Sequence, residues 1–241
     1  MRGKLIVFEG VEGGGKTTQI QLCSQWLQAS NLLTQLNTIQ PQVSVVITKE
    51  PGGTSLGLGL RQLLLEEVSS NKPNNSKNPP IQERAELLLY AADRAQHVEE
   101  FIKPLLAEGA IILCDRYTDS TVAYQGYGRG LDLTLIDQLN QIATGGLESD
   151  LTIWLDVDVK IGLERAQKRG KTDRMEQASL AFHRRVQQGF ESIYQQNPHR
   201  IVRVDASGSQ AQVHCAIQEI LHRHFNLSGY PSPSSPESSP E

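Results

Sequence analysis

Five short, mostly apolar runs rich in β-favouring residues punctuate the chain: Lys4–Glu9 (KLIVFE), Val43–Thr48 (VSVVIT), Ala110–Cys114 (AIILC), Leu151–Asp156 (LTIWLD) and Arg200–Asp205 (RIVRVD). Continuous apolar runs of this length suit strands buried on both faces. Longer segments of helical periodicity separate them. Alternating strands and helices predict an α/β fold, a five-stranded parallel sheet with helices on both faces. Ligands of such sheets sit beyond the carboxyl ends of the strands, so functional residues should follow each run.

Two polar stretches interrupt the pattern. Ser69–Pro80 (SSNKPNNSKNPP) reads as a loop or short insertion, and Ser228–Glu241 (SGYPSPSSPESSPE) as a disordered Ser/Pro-rich tail that cannot bury a core. Residues Asn31 to Gln42 also exceed a minimal helix-to-strand link. The expected organisation is one domain over residues 1–227 followed by the tail 228–241. A length of 241 residues allows one α/β domain or two small ones.

Composition narrows the class. The formal net charge of −4 speaks against duplex nucleic acid as the main partner, because such binding needs dense Lys/Arg contacts. No apolar stretch is long enough to span a bilayer, and the N-terminal run is too short for a signal-peptide core. The three cysteines, Cys23, Cys114 and Cys215, form no C-x-x-C pair and read as reduced thiols. The expectation is a cytoplasmic protein with no nucleic acid or membrane partner.

The sharpest motif follows the first run. Gly10-Val11-Glu12-Gly13-Gly14-Gly15-Lys16-Thr17 fits G-x-x-x-x-G-K-[ST] between a strand and a helix, the context that a phosphate-binding P-loop requires. Glycines let main-chain N–H groups surround phosphate oxygens, and the helix starting near Lys16 directs its positive end at them. With Thr18, these residues form the expected ATP site. Lys16 would reach the β- and γ-phosphates, and the Thr17 hydroxyl would ligate Mg²⁺. Asp115, after the third run, has the place of a second metal-organising carboxylate, although a turn or helix-capping aspartate is the other reading. The guanine-reading Asn-Lys-x-Asp pattern is absent; its nearest match, Asn71-Lys72-Pro73-Asn74, follows no strand.

A P-loop alone does not separate kinases from motors or switches. A nucleotide kinase needs a second anion site, and four segments offer residues for one. Glu50-Pro51-Gly52-Gly53-Thr54 leads to Arg61. Asp115-Arg116-Tyr117 follows the third run. Glu86, Tyr90 and Arg94 are spaced i, i+4, i+8, on one helix face within an arc of roughly 80°. Arg165, Lys168 and Arg169 precede Gly170-Lys171-Thr172-Asp173-Arg174. Each cluster could also be a solvated helix face.

Together these residues carry a resemblance. Phe8-Glu9-Gly10-x-Glu12-Gly13, Lys49 to Thr54, Ala91-Ala92-Asp93-Arg94-Ala95-Gln96-His97, Asp115-Arg116-Tyr117 and Asp119-Ser120-Thr121-x-Ala123-Tyr124-Gln125-Gly126 resemble the thymidylate kinase family. The resemblance runs to about Phe225. It implies a P-loop NTPase three-layer sandwich that moves the γ-phosphoryl of ATP to dTMP, with Mg²⁺ as cofactor and a homodimer as the assembly. An apolar face on Glu83–Leu106 is compatible with that dimer. By the same resemblance Glu12 would accept from the 3′-hydroxyl of dTMP and Tyr90 would stack on thymine. Arg94 would donate to a base carbonyl, Ser120, Thr121 and Gln125 would complete the substrate site, and Tyr124 would crowd the 2′ position. Arg61 and Arg116 would clamp the acceptor phosphate with the fork that suits phosphate oxygens.

The phosphate loop holds no cation before Lys16. The segment around Lys168 and Arg169 resembles the bacterial type, whose lid, here about residues 165–178, supplies the catalytic arginine. Lys16, Arg116 and Arg169 are therefore the expected catalytic residues. Two rivals remain open: a kinase for another pyrimidine monophosphate, and a P-loop regulatory ATPase whose output is a partner interaction.

Overall fold

The computed structural model describes residues 2–30, 43–65, 81–170 and 173–225. The stretches 31–42 and 69–80 and the tail 228–241, singled out in the sequence, lie outside the described residues, as do Lys171 and Thr172 of the lid.

Five strands form one wholly parallel sheet in the order β2-β3-β1-β4-β5. They are β1 (Lys4–Glu9), β2 (Val45–Lys49), β3 (Ile111–Asp115), β4 (Leu151–Asp156) and β5 (Ile201–Asp205). β1 and β4 match the predicted runs. β2, β3 and β5 start one or two residues later, and β2 and β3 each run one residue further. Lys49 and Asp115, adjacent in register, are therefore the last strand residues and not the first loop residues.

Alternate side chains of β1 enter two separate cores, as the period of two dictates. Ile6 and Phe8 pack with Ile20, Cys23 and Leu27 of α1 (Lys16–Ala29), and with α8 (Leu180–Gln196) and α9 (Gln210–His224). Leu5 and Val7 pack on the other side with Val98, Ile102 and Leu106. The sheet is thus buried on both faces, which explains why its strands read as unbroken apolar runs.

The other helices are α2 (Ser55–Leu65), α3 (Glu83–His97), α4 (Lys103–Ala107), α5 (Thr118–Thr121), α6 (Leu133–Thr144) and α7 (Val159–Gln167). Two π-helical segments, Val98–Ile102 and Val122–Gly128, continue α3 and α5. Asp132, Asp158, Ser179 and Ser209 cap α6 to α9 through side-chain acceptors. α1 differs: its N-cap is Gly15 in the left-handed region and no side chain caps it. Its first amides are left to a ligand at the end of β1.

Trp154 is buried in β4 against Phe190 of α8, and Trp26 of α1 meets His222 of α9 edge-on at 5.0 Å. All three cysteines are free, with Cys215 exposed. No helix among the described residues is long and apolar enough to cross a membrane.

Candidate active site

A cavity of about 750 Å³ opens at the carboxyl edge of the sheet. It draws its walls from the loop after β1, α2, α3, the β3–α5 corner, the lid and the β5–α9 loop. Of the predicted site residues, Glu12 to Thr18, Arg61, Tyr90, Arg94, Asp115, Arg116, Ser120, Thr121, Tyr124, Gln125 and Arg169 all line it. Gly10 and Val11 do not; their carbonyls instead accept from Lys16 Nζ at 3.0 and 2.9 Å.

The loop after β1 is pressed onto α7. Gly13 has φ +69°, and a Cβ there would lie 1.9 Å from the Gly162 carbonyl oxygen. A Cβ on Gly162 would lie 2.3 Å from the Glu12 carbonyl oxygen. Two backbones can approach this closely only where both residues lack side chains.

At the corner after β3 the Thr17 hydroxyl donates to Asp115 Oδ2 at 2.9 Å. A hydroxyl and a carboxylate side by side form a hard-oxygen pair, which fits Mg²⁺ in a site completed by phosphate oxygens and water. The next residue, Arg116, holds φ +72°, the one positive φ on a non-glycine residue among those described. Its guanidinium donates to Gly10 O, Ser120 Oγ, Glu12 Oε1 and Tyr124 Oη at 2.7–3.1 Å. Tyr124 in turn donates to Glu12 at 2.8 Å. Burial would raise the Glu12 pKa, but Arg116 and Lys16 outweigh it and hold the carboxyl at about 2. Glu12 is a fixed anion among fixed cations.

Arg94, 2% exposed, is oriented from several sides. Its Nε donates to Glu50 Oε2, Nη1 to Thr121 Oγ1 and Asn140 Oδ1, and Nη2 to the Tyr117 carbonyl, all at 2.8–3.0 Å. His97 Nδ1 meets the other Glu50 oxygen at 2.9 Å. Arg61 donates to Pro51 O. Arg169 is 60% exposed and paired with Glu176 at 2.5 Å.

Several residues outside the expected site of the sequence reading support it. Glu9, fully buried at the end of β1, accepts from the backbone amides of Tyr117 and Ser120 and from the Ser120 hydroxyl. It fixes the corner that carries Arg116. Burial and the charge of Asp119 push its pKa up to about 7, against Arg116 and the hydrogen bonds. Glu86, read as a face residue beside Tyr90 and Arg94, does not line the cavity. It binds Gln125 of the wall together with Arg129 and Arg174. Asp93 accepts from the Gly52 amide, and burial raises its pKa to about 6. Glu9 and Asp93 stand in the motifs that carry the resemblance and Glu86 on the face of Tyr90 and Arg94, but what each carboxylate binds has no signal in the sequence beyond its place where a strand or helix must be buried.

Comparison with known proteins identifies the family of the chain. A family model described as thymidylate kinase matches residues 8–217. A thymidylate kinase of Nostoc punctiforme is 60% identical over 232 residues, covering 96% of this chain and 100% of that protein. One of Trichodesmium erythraeum is 58% identical, covering 92% and 96%. A crystal structure of thymidylate kinase from Ehrlichia chaffeensis shares 33% identity and a TM-score of 0.68, over 92% of this chain and 100% of that one.

Proposed function

The chain belongs to the thymidylate kinase family, and from that premise we propose how its residues move the γ-phosphoryl group of ATP to dTMP, giving dTDP and ADP for dTTP synthesis. The observation that carries the reading is a single cavity in which the uncapped start of α1 faces Arg116, Arg61 and the Arg94–Thr121–Gln125 wall.

The triphosphate lies over the loop from Gly10 to Thr18, where amide N–H groups and the helix dipole hold its oxygens. Lys16, now bonded to two loop carbonyls, turns to the β- and γ-phosphates. The end of the cavity lined by Arg165, Ala206, Gly208, Ser209 and Gln210 receives the donor's base. Thr17 and Asp115 would hold Mg²⁺, which would supply neutralisation of the phosphate charge.

On the opposite side dTMP sets its base against Tyr90, Arg94, Thr121 and Gln125, and its 3′-hydroxyl donates to Glu12. Tyr124 lies beside the sugar and excludes a 2′-hydroxyl, a reading supported by its hydrogen bonds with Glu12 and Arg116. Arg116 and Arg61 grip the acceptor phosphate, with Ser120 supporting Arg116. That phosphate oxygen is already anionic, so alignment and charge neutralisation suffice and no side-chain base is required. The lid, about residues 165–178, closes to exclude water. Arg169 leaves Glu176 to reach the transferring group.

The chain works as a homodimer in the cytoplasm, with residues 1–227 as one domain. Exposed Leu56 and Leu63 of α2, Leu88 of α3 and Ile142 of α6, on neighbouring helices, support the dimer. A coupled assay with ATP over the common nucleoside monophosphates tests the reaction. dTMP is the expected preferred acceptor; preference for UMP or CMP, or hydrolysis independent of acceptor, would overturn it.

A further inference from the structure

Gln125 is 2% exposed, and its Nε2 donates to Glu86 Oε1 at 2.9 Å. Glu86 is 1% exposed and fully engaged as an acceptor. Arg129 Nε donates to Oε1 and Nη2 to Oε2, both at 3.2 Å, and Arg174 Nη2 donates to Oε2 at 2.5 Å. Burial alone would raise its pKa, but the bonds from Gln125 and Arg174 and the charge of Arg129 hold it below the ordinary carboxyl value. An ionised carboxylate can only accept, so the carboxamide of Gln125 must turn its nitrogen to Glu86 and its oxygen away. Gln125 lines the cavity, and its Oε1 accepts nothing among the described residues.

Arg94 supplies the complement. Of its five N–H bonds, four are committed to Glu50, Thr121, Asn140 and Tyr117, leaving one on Nη2. The wall therefore offers one acceptor and one donor to a pyrimidine edge. An N3–H beside a 4-carbonyl matches that pair. An unprotonated N3 beside an amino group inverts it and leaves two buried groups opposed.

We propose that Glu86 is a positioning residue: it fixes the Gln125 carboxamide with its oxygen toward the substrate and so selects pyrimidines that carry a proton on N3. Arg129 and Arg174 keep Glu86 anionic and in place. Arg174 lies in the lid and also bonds the Leu64 carbonyl of α2, so the element that closes the site also holds the group that orients its base reader. This rests on the reading that Gln125 meets the base, and it adds the side chain that decides which face of Gln125 is shown.

The test compares kcat/KM for dTMP and for the analogue with C–H in place of N3–H, in wild type, E86Q, Q125A and the double variant. Wild type should prefer dTMP by about tenfold, the scale of one neutral hydrogen bond to a buried acceptor. The amide of E86Q can donate as well as accept, so Gln125 is free to turn and the preference should fall to within about threefold, through KM and not kcat. On the Q125A background, E86Q should change the preference no further. An undiminished preference in folded E86Q would overturn the proposal. Wild-type indifference to the analogue, with dTMP KM unchanged in Q125A, would instead overturn the base-edge reading beneath it. If E86Q melts below the assay temperature, E86D takes its place, keeping the charge but withdrawing it by one methylene. An intermediate preference is then expected, and an unchanged one counts against the proposal.

Discussion

The close contact between the phosphate loop and α7 gives a prediction in which two effects oppose each other. Gly162 lies inside α7, where Gly→Ala normally stabilises by about 1 kcal/mol. Here the added Cβ would lie 2.3 Å from the Glu12 carbonyl oxygen, about 1 Å short of van der Waals contact. The obstacle is backbone in a tight turn, not the end of a flexible side chain. Overpacking of this kind costs about 1–3 kcal/mol, so the clash at least cancels the helix gain and G162A should lose up to about 2 kcal/mol net. To fit, the loop must shift away from α7, taking Glu12 and its neighbouring amides with it. A 1 Å misplacement at a reacting site can cost about a hundredfold in rate, so kcat/KM should fall by one to two orders of magnitude, with a raised KM for ATP. Gly59→Ala in α2 is the control, because a Cβ there meets nothing within 4 Å. It should gain the full helix increment. Urea unfolding and initial-rate kinetics on both variants decide the matter. A G162A protein as stabilised as G59A, with unchanged KM for ATP, would refute the reasoning.

Two further outcomes follow from charged groups. R169A should lower kcat roughly a thousandfold with dTMP KM unchanged. Because Arg169 itself is 60% exposed, unfolding free energy should move by less than about 1 kcal/mol; near-normal turnover would remove Arg169 from the mechanism. The Glu9 pKa, raised from 4.5 to about 7, means the native state holds this proton more tightly than the unfolded chain. Its contribution to stability is present below pH 4.5 and lost as pH rises to 7. E9Q should therefore flatten the fall in unfolding free energy across that window, while Asp93 keeps a slope of the same sign in both proteins. Equal slopes would show that Glu9 does not titrate there.

Much of this site could be read along the chain because its motifs are local. Gly10 to Thr17, Lys49 to Thr54 and Asp115 to Tyr117 each carry their chemistry within a few residues of a strand end. The strands stood out because burial on both faces removes polar residues from them. Asp115 had two readings in the sequence, and β3 brings it within hydrogen-bond reach of Thr17. What stayed hidden depends on distance or on backbone geometry. Glu9 and Tyr117 are 108 positions apart, and Glu86 and Arg174 are 88 apart, so no spacing rule joins them. Gly162 looks like an indifferent helix glycine until the loop lies across it. The π-helical turns at Val98–Ile102 (VEEFI) and Val122–Gly128 (VAYQGYG) share no compositional mark that a sequence reading could use.

The two tryptophans sit at different points around one hydrophobic core. Trp154 is sealed between the sheet and α8, whereas Trp26 lies at the junction of the first and last helices. Replacing either one with Phe leaves a protein with a single emitter. W154F would then report optically on the helix that begins at the phosphate loop, and W26F on the opposite half of the sheet. The two signals would show whether both regions lose structure in one step or in succession.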